Sequence, residues 1–320
     1  MLLKEVQGIN NLSFLAQKAM QGFITGLHNS PLKGFSVEFA EHRFYNTGES
    51  VKNLDWKLLA RTEKKYVKQF IEETNLKAHI WLDVSGSMAF PYPQQNKLKL
   101  GLLISSTLGY ILNKQRDAFM LQLFNGKNVL WQSELKSTKS HLSYCITLLE
   151  KLWTKGLSIE LTSPEKNNAT TLENLLDIKT GSTRMSESLQ HLGRRNLVVI
   201  CSDCLWDNNN GEEELEFWNS LNYMRYKKAE VLLIHIMDEE LELNLNLQDS
   251  PILFQDLENH EQIRLNPVEY QKLYSENETK RVQKIKENCY SLGIGYFQID
   301  VSQPLETALF AFYKQRNKIV

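Results

Sequence analysis

The sequence predicts an α/β fold in which a doubly wound, mostly parallel sheet is flanked by helices on both faces. Apolar runs without alternation, the pattern of strands covered on both faces, occur as AHIWLDV, NLVVICSD and AEVLLIHIMD. Between them lie stretches with apolar residues at helical spacing, such as NKLKLGLLISSTLGYILNK and EEELEFWNSLNYMRYKK. Buried strands that alternate with helices favour a parallel sheet between two helical layers.

The chain before this pattern has a different composition. NNLSFLAQKAMQGFITGL predicts a helix, which turn residues end after Gly26. The stretch that follows is rich in charged and aromatic residues and contains the strand-like FSVEF. Because the composition changes near residue 76, we predict an N-terminal segment, residues 1–76, that packs on an α/β domain, residues 77–320.

The elements of the α/β domain can be predicted one after another. They are strand AHIWLDV, helix NKLKLGLLISSTLGYILNKQ, strands AFMLQLF and VLWQS, helix KSHLSYCITLLEKLW, helix TRMSESLQHLG, strand NLVVICSD, helix EEELEFWNSLNYMRYKK, strand AEVLLIHIMD, a two-stranded excursion in PILFQDLENHEQIRLNP, a helix over 268–291, strand IGYFQID and helix PLETALFAFYKQRNK. The turn NGKN indicates a hairpin between the second and third strands. Gly193 suits the end of its helix.

The composition is that of an ordinary globular protein. The 320 residues are 42% hydrophobic and 23% charged, with a formal net charge of -1, so no bulk charge favours nucleic acid or an anionic membrane surface. Lys4 and Glu5 interrupt the apolar residues at the start, unlike the core of a secretory signal. No apolar run approaches the ~20 residues of a spanning helix. We therefore expect a soluble, cytoplasmic protein without an integral membrane segment and without a nucleic-acid partner.

The four cysteines are Cys145, Cys201, Cys204 and Cys289. Disulfides are not expected without a secretory signal. Cys201 and Cys204 form the single pair CSDC at the end of an apolar strand, and one such pair is weak support for zinc or redox chemistry. We interpret them as small buried side chains beside an important aspartate. His79 and His235, on apolar strands, are interpreted as core histidines.

Oxygen-bearing side chains follow two of the predicted buried strands. In HIWLDVSGSMAF, Asp83 ends a strand, and Ser85 and Ser87 follow at alternate positions. Asp203 ends NLVVICSD, and Thr183 lies in the loop that opens the helix TRMSESLQHLG. Open parallel sheets place binding sites at the carboxyl ends of strands, where the strand order reverses. The alternative is a set of helix-capping residues with no further role.

Together these residues offer two carboxylates and three hydroxyls. Hard oxygen ligands with a low total negative charge suit Mg²⁺, or Mn²⁺ as a close substitute, and the sequence has no nearby cluster of His or Cys that would favour zinc. The sequence therefore predicts a divalent-cation site that consists of Asp83, Ser85, Ser87, Thr183 and Asp203.

The pattern D-x-S-x-S after a buried strand, a later Thr and then an Asp after another buried strand resembles a von Willebrand factor A domain. The resemblance implies that these five residues form a metal-ion-dependent adhesion site. It implies that Ser85 and Ser87 bind the cation directly, and that Thr183 and the aspartates bind directly or through water. A carboxylate of a partner protein would then take the open coordination position.

The amino-terminal half is similar to the family named domain of unknown function 58. In that family a block with E-F, R-x-Y, D-W-K and A-R-T precedes a von Willebrand A-like domain. The corresponding residues here are Glu38, Phe39, Arg43, Tyr45, Asp55, Trp56, Lys57, Ala60, Arg61 and Thr62. The resemblance implies partnership with a MoxR-type AAA ATPase and a role in the assembly of target proteins or the insertion of their metal cofactors.

Three functional hypotheses follow. The first is a non-enzymatic protein-binding module whose cation recognises an Asp or Glu of a partner. The second is a Mg²⁺-dependent phosphohydrolase with Asp83 as nucleophile, although the second acid that such enzymes need two residues later is here Ser85. Hydrolysis of an aryl phosphate by the wild type and an Asp83→Asn variant would separate the two. The third is a structural scaffold with a vestigial cation.

Overall fold

The structure is a computed structural model of the 320-residue chain. It describes residues 2–6, 9, 11–28, 42–44, 59–61, 66–68, 76–91, 94, 96–156, 183–189, 192–193, 196–206, 211–247, 249–255 and 262–316. The chain divides into two compact units. Met1–Gln21 and Leu76–Val320 form the larger one, and Gly22–Asn75 form the smaller one. The assignment of residues 1–76 and 77–320 to separate segments stays a prediction.

The strands that the structure describes are β1 (His42–Phe44), β2 (Tyr66–Lys68), β3 (Lys77–Asp83), β4 (Ala118–Asn125), β5 (Asn128–Gln132), β6 (Thr183–Arg184), β7 (Leu197–Ser202), β8 (Glu230–Met237), β9 (Ile252–Gln255), β10 (Gln262–Leu265) and β11 (Gly295–Asp300). The smaller unit contains the antiparallel pair of β1 and β2. In the larger unit, β9 and β10 form the separate two-stranded excursion that the sequence predicts.

The described helices are α1 (Leu3–Val6), α2 (Leu12–His28), α3 (Asn96–Lys114), α4 (Lys139–Lys155), α5 (Met185–Ser188), α6 (Glu212–Tyr226), α7 (Pro267–Ser291) and α8 (Leu305–Arg316). A 3₁₀ turn, Ser87–Ala89, follows β3, and a π-helical turn, Glu239–Leu243, follows β8. Among the described residues, no helix combines the length and the hydropathy of a membrane-spanning segment.

The central sheet has seven strands in the order β11-β8-β7-β3-β4-β5-β6. The five strands from β11 to β4 are parallel to one another. The hairpin strand β5 and the short strand β6 are antiparallel to their neighbours. The prediction of an α/β fold with a mostly parallel sheet is confirmed.

Helices cover both faces of the sheet. One face carries Trp81, Ile200 and Leu233 and packs in a continuous core with Phe217 of α6 and Ile285 of α7. This burial is why the strands read as unbroken apolar runs rather than as alternating ones.

The opposite face of the sheet packs against α3. A Cβ atom built on Gly101 of α3 would lie 2.7 Å from Leu82 Cδ1 and 3.5 Å from Ile236 Cδ1. Glycine at this position therefore lets the helix approach β3 closely, and the first turn of α3 lies over the end of that strand.

The region before β7 differs from its prediction. The sequence predicts a helix over TRMSESLQHLG, but Thr183 and Arg184 pair with β5 as an edge strand, and α5 spans only Met185–Ser188. Met185 and Leu189 have the spacing of one helical face, and both are buried. The two residues before them are exposed and extend the sheet instead.

His79 is expected to make the stability of the protein depend on pH. Its side chain is buried, its Nε2 lies 3.0 Å from Asn196 Nδ2, and burial, with a smaller effect of Lys77, lowers its pKa from 6.5 to about 4. The unfolded chain therefore takes up a proton below pH 6.5 that the folded chain excludes. Between pH 6.5 and pH 4 the wild type should lose about 3 kcal/mol more of its free energy of unfolding than His79→Gln. Urea unfolding across this range measures the difference, and parallel curves would contradict it.

The close approach at Gly101 gives a second prediction. Gly101→Ala should lower the free energy of unfolding by about 1–3 kcal/mol, because the new methyl group overpacks the contact with Leu82. Gly109→Ala on the same helix is the matched control. Its Cβ would lie 3.4 Å from Leu142 Cδ1, an ordinary contact, so helix propensity should dominate and raise stability by up to about 1 kcal/mol. Chemical denaturation compares the two, and equal effects would refute the overpacking.

Candidate functional site

The residues predicted from the sequence lie at the point in the sheet where the order of strand addition reverses. The strands β3 and β7 are neighbours; the chain continues from β3 to β4 on one side and from β7 to β8 and β11 on the other. Asp83 is the last residue of β3, and Asp203 follows the last residue of β7. Their side chains therefore meet at the carboxyl edge of the sheet, at its topological switch point.

Four of the five predicted residues form one hydrogen-bonded cluster. Ser85 N donates to Asp83 Oδ1 at 2.9 Å, and the Ser85 and Ser87 hydroxyls lie 3.0 Å apart. Ser87 Oγ donates to Asp203 Oδ1 at 3.2 Å, which joins the two loops. Both aspartates and Ser85 are buried, and Ser87 is partly exposed, so the cluster opens to solvent on the Ser87 side.

Ser202 adds a further link between the two loops. Its Oγ donates to Asp83 Oδ2 at 2.6 Å and accepts a hydrogen bond from Cys204 N at 2.9 Å. Asp83 therefore has a protein donor on each carboxylate oxygen. The second hydrogen bond also fixes the turn after β7, where Cys204 adopts a left-handed backbone conformation with φ of 52°.

Two side chains below the sheet edge hold the backbone of the Asp203 loop. His235 Nε2 lies 2.9 Å from Asp203 O, and Arg281 Nη1 donates to Cys204 O at 2.9 Å. A carbonyl only accepts, so Nε2 of His235 carries the proton, and Nδ1 accepts from Tyr296 Oη at 2.8 Å. Burial lowers the pKa of His235 to about 4, which keeps this neutral form.

A buried lysine completes the cluster. Lys97, in the first turn of α3, donates from Nζ to Asp203 Oδ2 at 2.7 Å and also to Glu242 Oε1. Glu242 comes from the π-helical turn after β8, and its other oxygen accepts from Asp238 N at 2.9 Å. The Lys97 side chain is 0% exposed, so its charge is balanced by these two carboxylates rather than by water.

The electrostatics follow from burial. Burial, and then the Coulomb repulsion of Asp203, raises the pKa of Asp83 to about 7. Burial opposes the charge on Lys97, but the attraction of Asp203 and Glu242 outweighs it and raises the pKa of the lysine. The ammonium group of Lys97 is thus bonded to two carboxylates, and the third carboxylate, Asp83, interacts with Asp203 by Coulomb repulsion.

Thr183 lies apart from this cluster. It is exposed, it pairs with Val129 of β5, and its side chain makes no hydrogen bond to the four other residues within the described parts of the chain. The register runs from Asp83 through Phe124 and Val129 to Thr183. The two residues thus lie in one row at the same edge, three strands apart, a Cα separation of at most about 16 Å.

Other strand-end aspartates show what a purely structural role looks like. Asp238 Oδ1 accepts from Leu241 N at 3.1 Å, and Asp300 accepts from Ser302 N and Glu239 N at 2.8 and 2.7 Å. These carboxylates cap turns after β8 and β11. Asp83 and Asp203 cap turns in the same way, but they also bond side chains of another loop, which the capping role does not require.

The donor set fits Mg²⁺ or Mn²⁺ by its chemistry. It consists of two carboxylates and two hydroxyls, all hard oxygen donors, and three of the four side chains are buried. Within the described ranges, no group of three or more His, Cys, Asp or Glu side chains is placed to hold a metal ion. The described cysteines are all free buried thiols, and burial raises the pKa of Cys201 to about 12.

Lys97 and Glu242 are not among the residues that the sequence predicts for the site. A signal for Lys97 exists, because it is one helical turn before Gly101 on the buried stripe of α3, a position that an apolar residue usually takes. Glu242 gives no such signal, since it lies in an acidic turn and acidic turn residues are usually exposed. Most of the amino-terminal block lies outside the described residues: Glu38, Phe39, Tyr45, Asp55, Trp56, Lys57 and Thr62.

Comparison with known proteins supports the family resemblance. Uncharacterized proteins of Mycobacterium bovis and of two strains of Mycobacterium tuberculosis are each 25% identical to this chain over 108 residues. The match covers 34% of this chain and 34% of each relative, so the chain spans about a third of the length of these curated relatives. The family described as protein of unknown function DUF58 matches residues 41–283. These residues are more than half of the chain and include the whole cluster, and the chain belongs to this family.

Proposed function

We propose that this chain is a non-enzymatic protein-binding module with a von Willebrand factor A-like domain and a metal-ion-dependent adhesion site. The observation that carries the proposal is the hydrogen bond between Ser87 and Asp203, which joins residues 116 positions apart. It brings the oxygen donors of two loops together at the switch point of the sheet, the place where open α/β sheets bind ligands.

The residues that would hold Mg²⁺ or Mn²⁺ are Asp83, Ser85, Ser87 and Asp203. When bound, the ion supplies an open coordination position to which a carboxylate of a partner protein can bind. The protein contributes the rest. His235 and Arg281 hold the Asp203 loop in place, and burial of the aspartates keeps the Coulomb attraction of the site less screened than in water. Ser87, as the exposed member, lies on the side from which a partner carboxylate would approach.

The family resemblance suggests the nature of the partner. It would be a protein that presents an Asp or Glu, and a MoxR-type AAA ATPase is the first candidate. The process would be the assembly of target proteins or the insertion of their metal cofactors, in the cytoplasm.

Asp83→Asn should abolish Mg²⁺-dependent capture of the partner from native extract. The substitution keeps an oxygen to accept from Ser85 N and removes the charge that the cation requires. The wild type should retain the partner in Mg²⁺ and release it in EDTA, and mass spectrometry would identify the released protein.

Asp300→Asn is the matched control for this capture. Asp300 is also a buried strand-end aspartate that accepts two backbone hydrogen bonds, so its variant tests damage to the fold at least as severely. It should capture the partner as the wild type does. Retention of the same protein by Asp83→Asn, or in EDTA, would refute the proposal.

The position of Thr183 gives a separate prediction. Ser87→Ala should weaken Mn²⁺ binding about tenfold or more, because it removes one of the proposed oxygen ligands together with its hydrogen bond to Asp203. Thr183→Val should change the affinity by less than about threefold, since Thr183 lies three strands away. Calorimetric Mn²⁺ titration compares the two. A loss for Thr183→Val as large as that for Ser87→Ala would instead show that the Thr183 loop reaches the cation and that the five-residue set is complete.

A further inference from the structure

The feature that the predicted adhesion site does not account for is Lys97. A lysine in the first turn of a helix faces the positive end of the helix dipole, which disfavours it. A fully buried ammonium group is disfavoured again by the loss of water. The side chain is nevertheless inside the protein, bonded to Asp203 and Glu242, with its Nζ 5.6 Å from the centre of the Phe90 ring. Its position is therefore determined by the two carboxylates.

Lys97 binds the same carboxylate that a divalent ion would bind. Ser87 donates to Asp203 Oδ1, on the side of the serine loop, and Lys97 occupies Oδ2. An ammonium group at this distance withdraws negative charge from Asp203 and repels a second cation nearby. Glu242 acts in the opposite direction, since it neutralises part of the Lys97 charge and keeps the ammonium group between two acids.

The charges give a simple balance. Asp83, Asp203 and Glu242 together carry three negative charges when ionised, and Lys97 carries one positive charge. A divalent cation brings the sum to zero. Without the lysine the loaded site would be negative and would repel the acidic group of a partner; without Glu242 the empty site would attract a cation less.

We propose that Lys97 is an internal cation that competes with the divalent ion for Asp203, and that the pair of Lys97 and Glu242 sets the divalent affinity of the site. This inference rests on the cation site proposed above. Lys97 keeps the affinity lower than the three carboxylates alone would give, so that the site exchanges its ion, and it keeps the loaded site neutral enough to accept an acid.

The test is the affinity for Mn²⁺ alone, measured from the electron paramagnetic resonance signal of the free ion. Lys97→Met should bind Mn²⁺ about tenfold or more tightly than the wild type, because a positive charge beside Asp203 is gone. Glu242→Gln should bind about tenfold or more weakly, because a negative charge is gone and Lys97 is left to Asp203 alone. The double variant Lys97→Met with Glu242→Gln loses both charges and should return to within about threefold of the wild type.

Lys99→Met is the matched control on the same helical turn. Lys99 is partly exposed and, among the residues that the structure describes, makes no hydrogen bond or ion pair with the cluster, so its variant should bind Mn²⁺ as the wild type does. Thermal unfolding shows which variants are folded. Should Lys97→Met fail to fold, Glu242→Gln and the charge-balanced double variant still provide the comparison.

The outcomes separate this inference from the proposed function. The wild type could bind Mn²⁺ with an affinity that the Lys97 and Glu242 substitutions leave unchanged or that Lys97→Met lowers. Either result overturns the role of Lys97 but leaves the cation site standing. Wild-type protein that binds Mn²⁺ no better than Asp83→Asn overturns the cation site itself, and the inference with it. Opposite shifts in the two single variants, cancelled in the double variant, support both.

Discussion

The carboxylate of Asp203 is buried at the carboxyl edge of the sheet, and each of its oxygens needs a partner there that is not bulk water. Ser87 bonds one oxygen and Lys97 the other. Since a buried charge without partners costs several kcal/mol, the loops that carry these two donors have to close over the end of β7. The loop after β3 and the first turn of α3 meet this requirement, and the π-helical turn after β8 adds Glu242, the second partner of Lys97.

The topology of the sheet explains why these groups meet. Parallel strands end at one edge, and several of them here end in an aspartate whose side chain caps the next turn. Asp238 caps its own turn, and Asp300 also accepts from Glu239 N in the turn after β8, so that, in the parts of the chain that the structure describes, both bond backbone groups. At the switch point, two such aspartates lie at the ends of neighbouring strands, so their charges interact. The side chains around them therefore bond the two carboxylates as well as hold the turns.

The sequence predicts what depends on local pattern. The buried strands, the hairpin, the long helices and the loops of Asp83 and Asp203 are all visible as apolar runs, turn residues and periodicity. Lys97 and Glu242 are not, because each reads locally as a helix or turn residue, and only the packing of α3 across β3 and β7 brings them together. The sequence around Thr183 is similarly limited as a guide. It predicts a position at the edge of the sheet that Asp83 shares, but it does not predict that Thr183 lies on the edge strand β6.

The cluster also joins distant parts of the chain. Its contacts span 116 residues from Ser87 to Asp203 and 145 residues from Lys97 to Glu242. Closure of such long loops is slow compared with the formation of single helices, so we expect the cluster to form after the helices around it. During synthesis the cluster stays incomplete until residue 242 has left the ribosome. A fragment that ends before β8 contains Ser85 and Ser87 but not the complete cluster. Completion of the cluster therefore requires that β3, β7 and the turn after β8 have come together.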